Sequence, residues 1–148
     1  MKLISHRGNT NGRIPHRENT KEYIMEAIES GFDVEIDLWH HDNNLWLGHD
    51  KPEYACDSLW LLANAPKLWC HAKNISALQA LLMMKMHCFY HAVDDATLTS
   101  QGYIWTFPGK DLTYLSVSVM PELHDPVLDH CYGICSDIIS EYKESLNG

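Results

Sequence analysis

Two carboxylates, Glu35 and Asp37, have the residue types and spacing in this chain that most directly suggest chemistry. They alternate with Val34, Ile36 and Leu38 in a predicted strand, so the acids share one face and the apolar residues the other. Two buried carboxylates repel each other, and a hard divalent cation between them would remove the repulsion. A solvated outer face is the alternative interpretation of the same pattern.

Other polar motifs precede and follow this pair at predicted strand ends or in the loops after them. In chain order the motifs are His6-Arg7-Gly8, Glu18-Asn19, Glu35-x-Asp37 and His49-Asp50, followed later by Lys73. Together they resemble the signature of the glycerophosphodiester phosphodiesterase family, whose members show HRG, ENT, ExD and HD in this order. The match covers residues 6–50, and residues 133–137 are similar to the family's last strand and its aspartate.

The resemblance implies a phosphoric diester hydrolase that cleaves a small, glycerophosphodiester-like substrate with the help of a metal ion. The implied catalytic residues are His6, His49, Arg7 and Lys73. The implied substrate contacts include Arg7, Asn19 and Lys73, and the implied metal ligands include Glu18, Glu35 and Asp37. His6 would act as general base and His49 as general acid, roles that histidine performs well near neutral pH.

One position departs from the family pattern. Family members usually place an acid two residues before the strand lysine, where this chain has His71 before Lys73. His71 shares a strand face with Lys73 and could bind the metal through nitrogen. An all-oxygen site would favour Mg²⁺ or Ca²⁺, whereas a nitrogen ligand would favour Mn²⁺ or Zn²⁺. Glu122, at a predicted strand end, is another candidate metal ligand, with an ordinary surface acid as the alternative.

Trp105 is the candidate for an apolar contact with the substrate. It lies beside Tyr103 and Phe107 in an apolar segment, where core packing is the ordinary role of a tryptophan. The alternative is that Trp105 forms the wall of a pocket for an alcohol or acyl group.

Strand and helix patterns alternate along most of the chain. About seven strands are predicted, among them Lys2–His6 and Asp33–Trp39, with helices near residues 20–30, 57–64 and 75–85. A further helix is predicted to begin at Asp125-Pro126, and another ends the chain. This alternation predicts an α/β fold with a largely parallel sheet. Because an eight-unit barrel needs ~250 residues, we expect a compact, reduced (β/α) TIM-barrel-like fold with shortened later units.

Composition narrows the class of protein. A length of 148 residues, 45% of them hydrophobic, predicts a single domain over residues 1–148. The net charge of −9 argues against nucleic acid as a partner. No apolar run approaches the ~20 residues of a membrane span, and the apolar start is too short for a signal peptide, so no stable membrane insertion is expected. Five cysteines without a CxxC pair predict reduced thiols and a cytoplasmic location.

Two other functions fit the same motifs. The first is a non-catalytic phosphate- or metal-binding module on the same fold, which the departure at His71 favours. The second is a phospholipase of the phosphatidylinositol or sphingomyelin type, which uses similar paired histidines. The expected partner is a small-molecule phosphodiester, and the sequence leaves the oligomeric state open.

Overall fold

The computed structural model describes residues 1–148, whose ten strands form one mixed sheet. The strands are β1 (Lys2–His6), β2 (Asp33–His41), β3 (Asn44–Leu47), β4 (Tyr54–Cys56), β5 (Leu68–Ala72), β6 (Cys88–Tyr90), β7 (Ala96–Leu98), β8 (Ile104–Thr106), β9 (Ser116–Val119) and β10 (Gly133–Ser136). The helices are α1 (Lys21–Glu29), α2 (Ser58–Asn64), α3 (Ile75–Met83) and α4 (Ile139–Asn147). Short 3₁₀ turns cover Ala65–Lys67 and Pro121–Leu123.

Strand β1 lies in the interior of the sheet, parallel to β2 on one side and to β10 on the other. Beyond β10, strands β9 and β8 continue in parallel, and β7 closes this side as an antiparallel neighbour of β8. On the other side, β2 pairs in parallel with β5, and β5 with β6. The C-terminal part of β2 also pairs with β3, which starts an antiparallel extension through β4.

The predicted reduced (β/α) TIM-barrel-like fold is wrong. The sheet curls into a half-barrel with few helices, and only 27% of the chain is helical. Strands β2, β3 and β4 follow one another without a helix, and residues 91–132 form short strands and turns without an α-helix, so the alternation of strands and helices is interrupted and ends at β6. The helix predicted from Asp125-Pro126 does not form, and the only helical turn nearby is the 3₁₀ turn before it.

The predicted helices near residues 20–30, 57–64 and 75–85 are confirmed as α1, α2 and α3. Helix α1 begins after Thr20, whose hydroxyl accepts the backbone N–H of Tyr23 at 3.3 Å. Helix α3 begins after Asn74, whose side chain accepts the backbone N–H of Ala77 at 2.9 Å. None of the helices has both the length and the apolar character of a membrane span.

The two faces of the sheet pack differently. The outer face of β2, β5 and β6 packs with α1, α2 and α3 in a core of 15 buried residues that includes Val34, Ile36 and Leu38. The inner, concave face carries a second cluster, contributed by six strands, of Ile4, Trp69, Phe89, Trp105, Val117 and Cys135. Along β2, the side chains that alternate with Val34, Ile36 and Leu38 therefore point into the half-barrel.

Candidate functional site

Strand register brings four of the predicted site residues together on the inner face. Because β1, β2 and β5 are parallel neighbours, His6 lies opposite Glu35, and Asp37 lies opposite His71. Both carboxylates are buried, with relative exposures of 2% for Glu35 and 0% for Asp37. The solvated outer face is thereby excluded, and the alternation in β2 places two acids in the interior of the sheet.

Asn19 and Arg7 both contact one oxygen, Oδ2, of the Asp37 carboxylate. Asn19 donates its side-chain N–H to Oδ2 at 2.9 Å and accepts the backbone N–H of Asp37 at 3.0 Å. The Nε of Arg7 lies 3.0 Å from the same Oδ2, as an ion pair without hydrogen-bond alignment. Burial raises the pKa of Asp37, but the neighbouring His71 and the charge of Arg7 outweigh burial and hold the pKa well below its usual value. Asp37 is therefore a carboxylate, with Oδ1 buried and without a hydrogen-bond partner.

Glu35 has the opposite electrostatic environment. Its Oε2 is buried without a hydrogen-bond partner, 3.7 Å from the Nε2 of His6. Burial and the adjacent charge of Asp37 raise the pKa of Glu35 well above its usual value. A second negative charge is thus unfavourable at this position unless a cation compensates it.

His71 completes the group. Its Nε2 donates a hydrogen bond to the backbone carbonyl of His91 at 3.2 Å, and its ring stacks on Phe89. Its Nδ1 faces the carboxylates, 3.4 Å from Asp37 Oδ1 and 3.9 Å from Glu35 Oε1. Nδ1 is therefore either a proton donor to Asp37 or, when deprotonated, a cation ligand whose ring is oriented by the His91 carbonyl.

These three residues fit a divalent cation. One ligand atom from each of Glu35, Asp37 and His71 lies within 4.8 Å of the others. Each carboxylate has one buried oxygen without a hydrogen-bond partner, and a divalent ion would compensate both acids and accept the imidazole nitrogen as a ligand.

Glu18 lies apart from this group, in the loop that joins β1 to α1. Its carboxylate accepts hydrogen bonds from Asn9 at 3.0 Å and Arg13 at 2.9 Å, and it pairs with Arg7 at 3.3 Å. Burial raises the pKa of Glu18, but these donors outweigh it and leave the pKa below its usual value. The structure therefore places Glu18 where it orients Arg7 and the loop.

Glu122 also lies elsewhere. Its Oε1 accepts a hydrogen bond from the hydroxyl of Ser136 at 2.8 Å. Ser136 alternates with Cys135 along β10, and Cys135 belongs to the inner cluster, so the Ser136 side chain points to the outer face. Glu122 and the group around Glu35 are therefore on different faces of the sheet.

Each histidine proposed for proton transfer lies against an aspartate. Nδ1 of His6 is 2.8 Å from Oδ1 of Asp137, and Nδ1 of His49 is 2.7 Å from Oδ1 of Asp50. Burial raises the pKa of Asp137, but His6, Asn9 and Arg7 together outweigh burial and lower the pKa overall. Both imidazoles thus have Nδ1 engaged and Nε2 left for another partner.

A pocket of about 440 Å³ opens above the group and brings most of the predicted site residues together. The predicted residues that line it are His6, Arg7, Glu35, His49, His71, Lys73 and Trp105. Asp37 and Asn19 lie behind this lining, where they position Arg7 and His71. The Nζ of Lys73 is 3.9 Å from Asp37 Oδ1, so its charge also faces the carboxylates.

Sequence reasoning missed one contributor to the site, Asn9, and assigned no role to another, His91. Asn9 donates to both Glu18 and Asp137, and thereby links the first loop to the end of β10. His91 lines the pocket with Nδ1 buried and without a partner, and burial lowers its pKa. The position of Asn9 directly after the His6-Arg7-Gly8 motif was the available signal for Asn9, whereas His91 had none beyond its position after a strand.

Comparison with protein-family models, with curated proteins and with solved structures gives no match. The functional argument therefore depends on the geometry of this pocket.

Proposed function

We propose that the protein is a metal-dependent hydrolase of small phosphodiesters. The observation that carries this proposal is the convergence of Glu35, Asp37 and His71 at a pocket that also contains His6 and His49. Carboxylate oxygens and an imidazole nitrogen fit a divalent cation, and two histidines provide for proton transfer to and from the reacting oxygens. The order of the sequence motifs, which resembles that of glycerophosphodiester phosphodiesterases, supports the same reaction.

The charges around the pocket suit a phosphate diester. The chain carries a net charge of −9, yet the pocket is lined by Arg7 and Lys73 and by only one acid, Glu35. A divalent ion held by Glu35, Asp37 and His71 would add positive charge and neutralise charge that develops on the phosphate. Arg7 and Lys73 would contact the non-bridging oxygens, Arg7 through Nη2, the guanidinium nitrogen that Asp37 and Glu18 leave free.

The two histidine–aspartate pairs supply the proton transfers. Nε2 of His6 takes the proton of the attacking oxygen, from water or from a substrate hydroxyl, as that oxygen bonds to phosphorus. The bond from phosphorus to the departing alcohol breaks, and His49 donates a proton to that alcohol oxygen. Asp137 and Asp50 stabilise the imidazolium forms through Nδ1.

Replacement of either histidine should therefore affect turnover. We expect His6→Ala and His49→Ala each to lower kcat by about 10²–10⁴-fold, the usual contribution of a positioned acid or base. Metal affinity should change little, since neither side chain belongs to the group of three ligands. Full kcat in either variant would contradict the proton-transfer role of that histidine.

The cellular setting is also a proposal. All five cysteines are free thiols, which supports a reducing compartment such as the cytoplasm.

The deciding experiment combines metal binding with hydrolysis. Protein stripped with EDTA is titrated with Mg²⁺, Ca²⁺, Mn²⁺ and Zn²⁺ by calorimetry, and hydrolysis of bis(p-nitrophenyl) phosphate is followed with each ion. We expect Glu35→Gln to weaken binding and abolish hydrolysis, whereas Glu29→Gln, at an exposed position on α1, leaves both unchanged. Metal binding without hydrolysis of any diester would identify a binding module. No metal binding at the wild-type site would contradict the proposal.

His71 decides which ions bind best. If its Nδ1 is a ligand, His71→Glu should shift the preference from Mn²⁺ or Zn²⁺ towards Mg²⁺ or Ca²⁺, and His71→Ala should weaken binding of every ion. An unchanged affinity and rank order in both variants would assign His71 to packing or substrate contact instead.

A further inference from the structure

The pocket has a second side whose chemistry differs from that of the metal group. We infer that the substrate is a phosphodiester of an apolar alcohol, with the alkyl or aryl group of that alcohol lying against Trp105 and Phe107. This inference rests on the proposed function and adds the class of substrate.

Different strands contribute the ionisable and the apolar residues that line the pocket. Strands β1, β2 and β5 and the loops after them contribute the ionisable side chains His6, Arg7, Glu35, His71 and Lys73. Strands β6, β8 and β9 and the loops after β6 and β8 contribute Tyr90, Ala92, Trp105, Phe107, Pro108 and Val119, with His91 among them. A volume of about 440 Å³ is much larger than a phosphate group needs, so part of any substrate must contact this second side.

The apolar side of the pocket is buried at its base and exposed at its rim. Trp105 is 4% exposed and stacks on Phe89 with ring centroids 4.6 Å apart. At the rim, Phe107 is 45% exposed. Such a surface favours an extended apolar group, because covering it removes apolar area from water.

The same lining disfavours polar alcohols. An ethanolamine cation would need a carboxylate, but the only lining acid is Glu35, which belongs to the metal group. Aromatic rings such as those of Trp105 and Phe107 attract a choline cation, so only the charges of the pocket disfavour choline. The positive charges of Arg7 and Lys73 would repel such a cation. The hydroxyls of glycerol would find few partners on this side, where the Tyr90 hydroxyl and the His91 ring are the polar groups among the lining residues.

A series of glycerophosphate diesters tests the inference, with the second alcohol being methanol, butanol, hexanol, choline or glycerol. Cleavage with the best-bound metal ion is followed by ³¹P NMR. We expect kcat/KM to rise by roughly twofold per methylene from methyl to hexyl, since about half of each methylene is covered on an open wall. The hexyl diester should be cleaved about 30-fold faster than the methyl diester, and faster than the choline and glycerol diesters.

Phe107→Ala should lower the ratio of hexyl to glycerol kcat/KM by about tenfold. Tyr114→Ala is the matched control, because Tyr114 is a 76% exposed aromatic residue that does not line the pocket. Equal or faster cleavage of the glycerol or choline diester, or an unchanged ratio in Phe107→Ala, would overturn the inference.

Failure of the proposed function would give a different result, namely that no diester is cleaved with any ion. In that case the apolar contact is tested without catalysis, by calorimetric comparison of the affinities for hexyl phosphate and glycerol phosphate. Tighter binding of hexyl phosphate that Phe107→Ala removes would support the contact, and equal affinities would refute it.

Discussion

His87 provides a test of the structure that depends on burial alone. Its side chain is 6% exposed, lies against Trp69 with centroids 4.1 Å apart, and has Nε2 2.8 Å from the Thr99 hydroxyl. Burial lowers the pKa of His87 from 6.5 to about 4, and the negative charge of Asp33 offsets this only in part. We therefore expect the free energy of unfolding to fall when the pH is lowered, with His87 responsible for a measurable part of the loss.

The sign and the size follow from the two pKa values. The unfolded chain binds a proton at His87 below pH 6.5, whereas the folded chain resists protonation until about pH 4. Stability is therefore lost progressively as the pH falls through this interval, and is unaffected by His87 well above it. Between pH 7.5 and pH 5 the full effect is roughly 2 kcal/mol. A cavity of about 100 Å³ borders the ring and admits some solvent screening, so we expect about 1–2 kcal/mol.

The assay is urea unfolding followed by tryptophan fluorescence at both pH values. His87→Gln and His87→Phe remove the titrating group, and Thr99 keeps the backbone N–H of Tyr103 as a donor in either variant. Each variant should lose about 1–2 kcal/mol less than the wild type between pH 7.5 and pH 5, whatever its stability at pH 7.5. His16→Gln, at an exposed position, should lose as much as the wild type. Equal losses in the wild type and both His87 variants would refute the reasoning.

Three further substitutions test residues that position the side chains of the site. Asn19→Ala should lower the free energy of unfolding by about 2–4 kcal/mol in urea titrations, because two buried hydrogen bonds to Asp37 are lost. Gly8→Ala should cost about 1–3 kcal/mol in the same assay, since φ is +96° and the new Cβ would lie 2.6 Å from Tyr23 Cδ2. Asp137→Asn should lower kcat by about 10²–10⁴-fold and shift the pH profile of kcat without changing calorimetric metal affinity, and an unchanged profile would remove its positioning role.

Elements with a strong local pattern were predictable from the sequence. The alternation through Glu35 and Asp37 predicts β2 and the face that carries both acids, and both are observed. Helix α1 is amphipathic, with Tyr23, Ile24 and Ala27 buried, and its position was also predicted. In each case side chains within a few residues of one another determine the structure.

The arrangement of strands was not predictable in the same way. Strands β4 and β7 are three residues long, too short for a period to be distinguished from a turn. The antiparallel pairing of β7 with β8, in a part of the chain without α-helices, depends on contacts between segments, such as Ala96 with Thr106. The prediction from the sequence therefore extended the alternation of strands and helices into residues 91–132, where the structure has no α-helix.

The candidate site also has parts that the sequence predicts and parts that it does not. Strand alternation paired Glu35 with Asp37, the family resemblance added His71 as a candidate ligand, and the structure brings the three together. Glu18 was a candidate because of the same resemblance and Glu122 because it follows a predicted strand, but the direction of each side chain depends on its hydrogen-bond partners, such as Ser136 for Glu122. No local pattern contains that information.

The hydrogen bond between His6 and Asp137 joins residues 131 positions apart. At a translation rate of about 5–20 residues per second, Asp137 is made roughly 7–26 s after His6. During that interval Glu35, Asp37 and His71 are synthesised in turn, while His6 has no aspartate to orient it and β1 lacks its neighbour β10. A ribosome-bound chain therefore acquires the proposed metal ligands before it acquires the oriented histidine, and under the proposed function metal capture and catalytic competence would be separate events in biosynthesis.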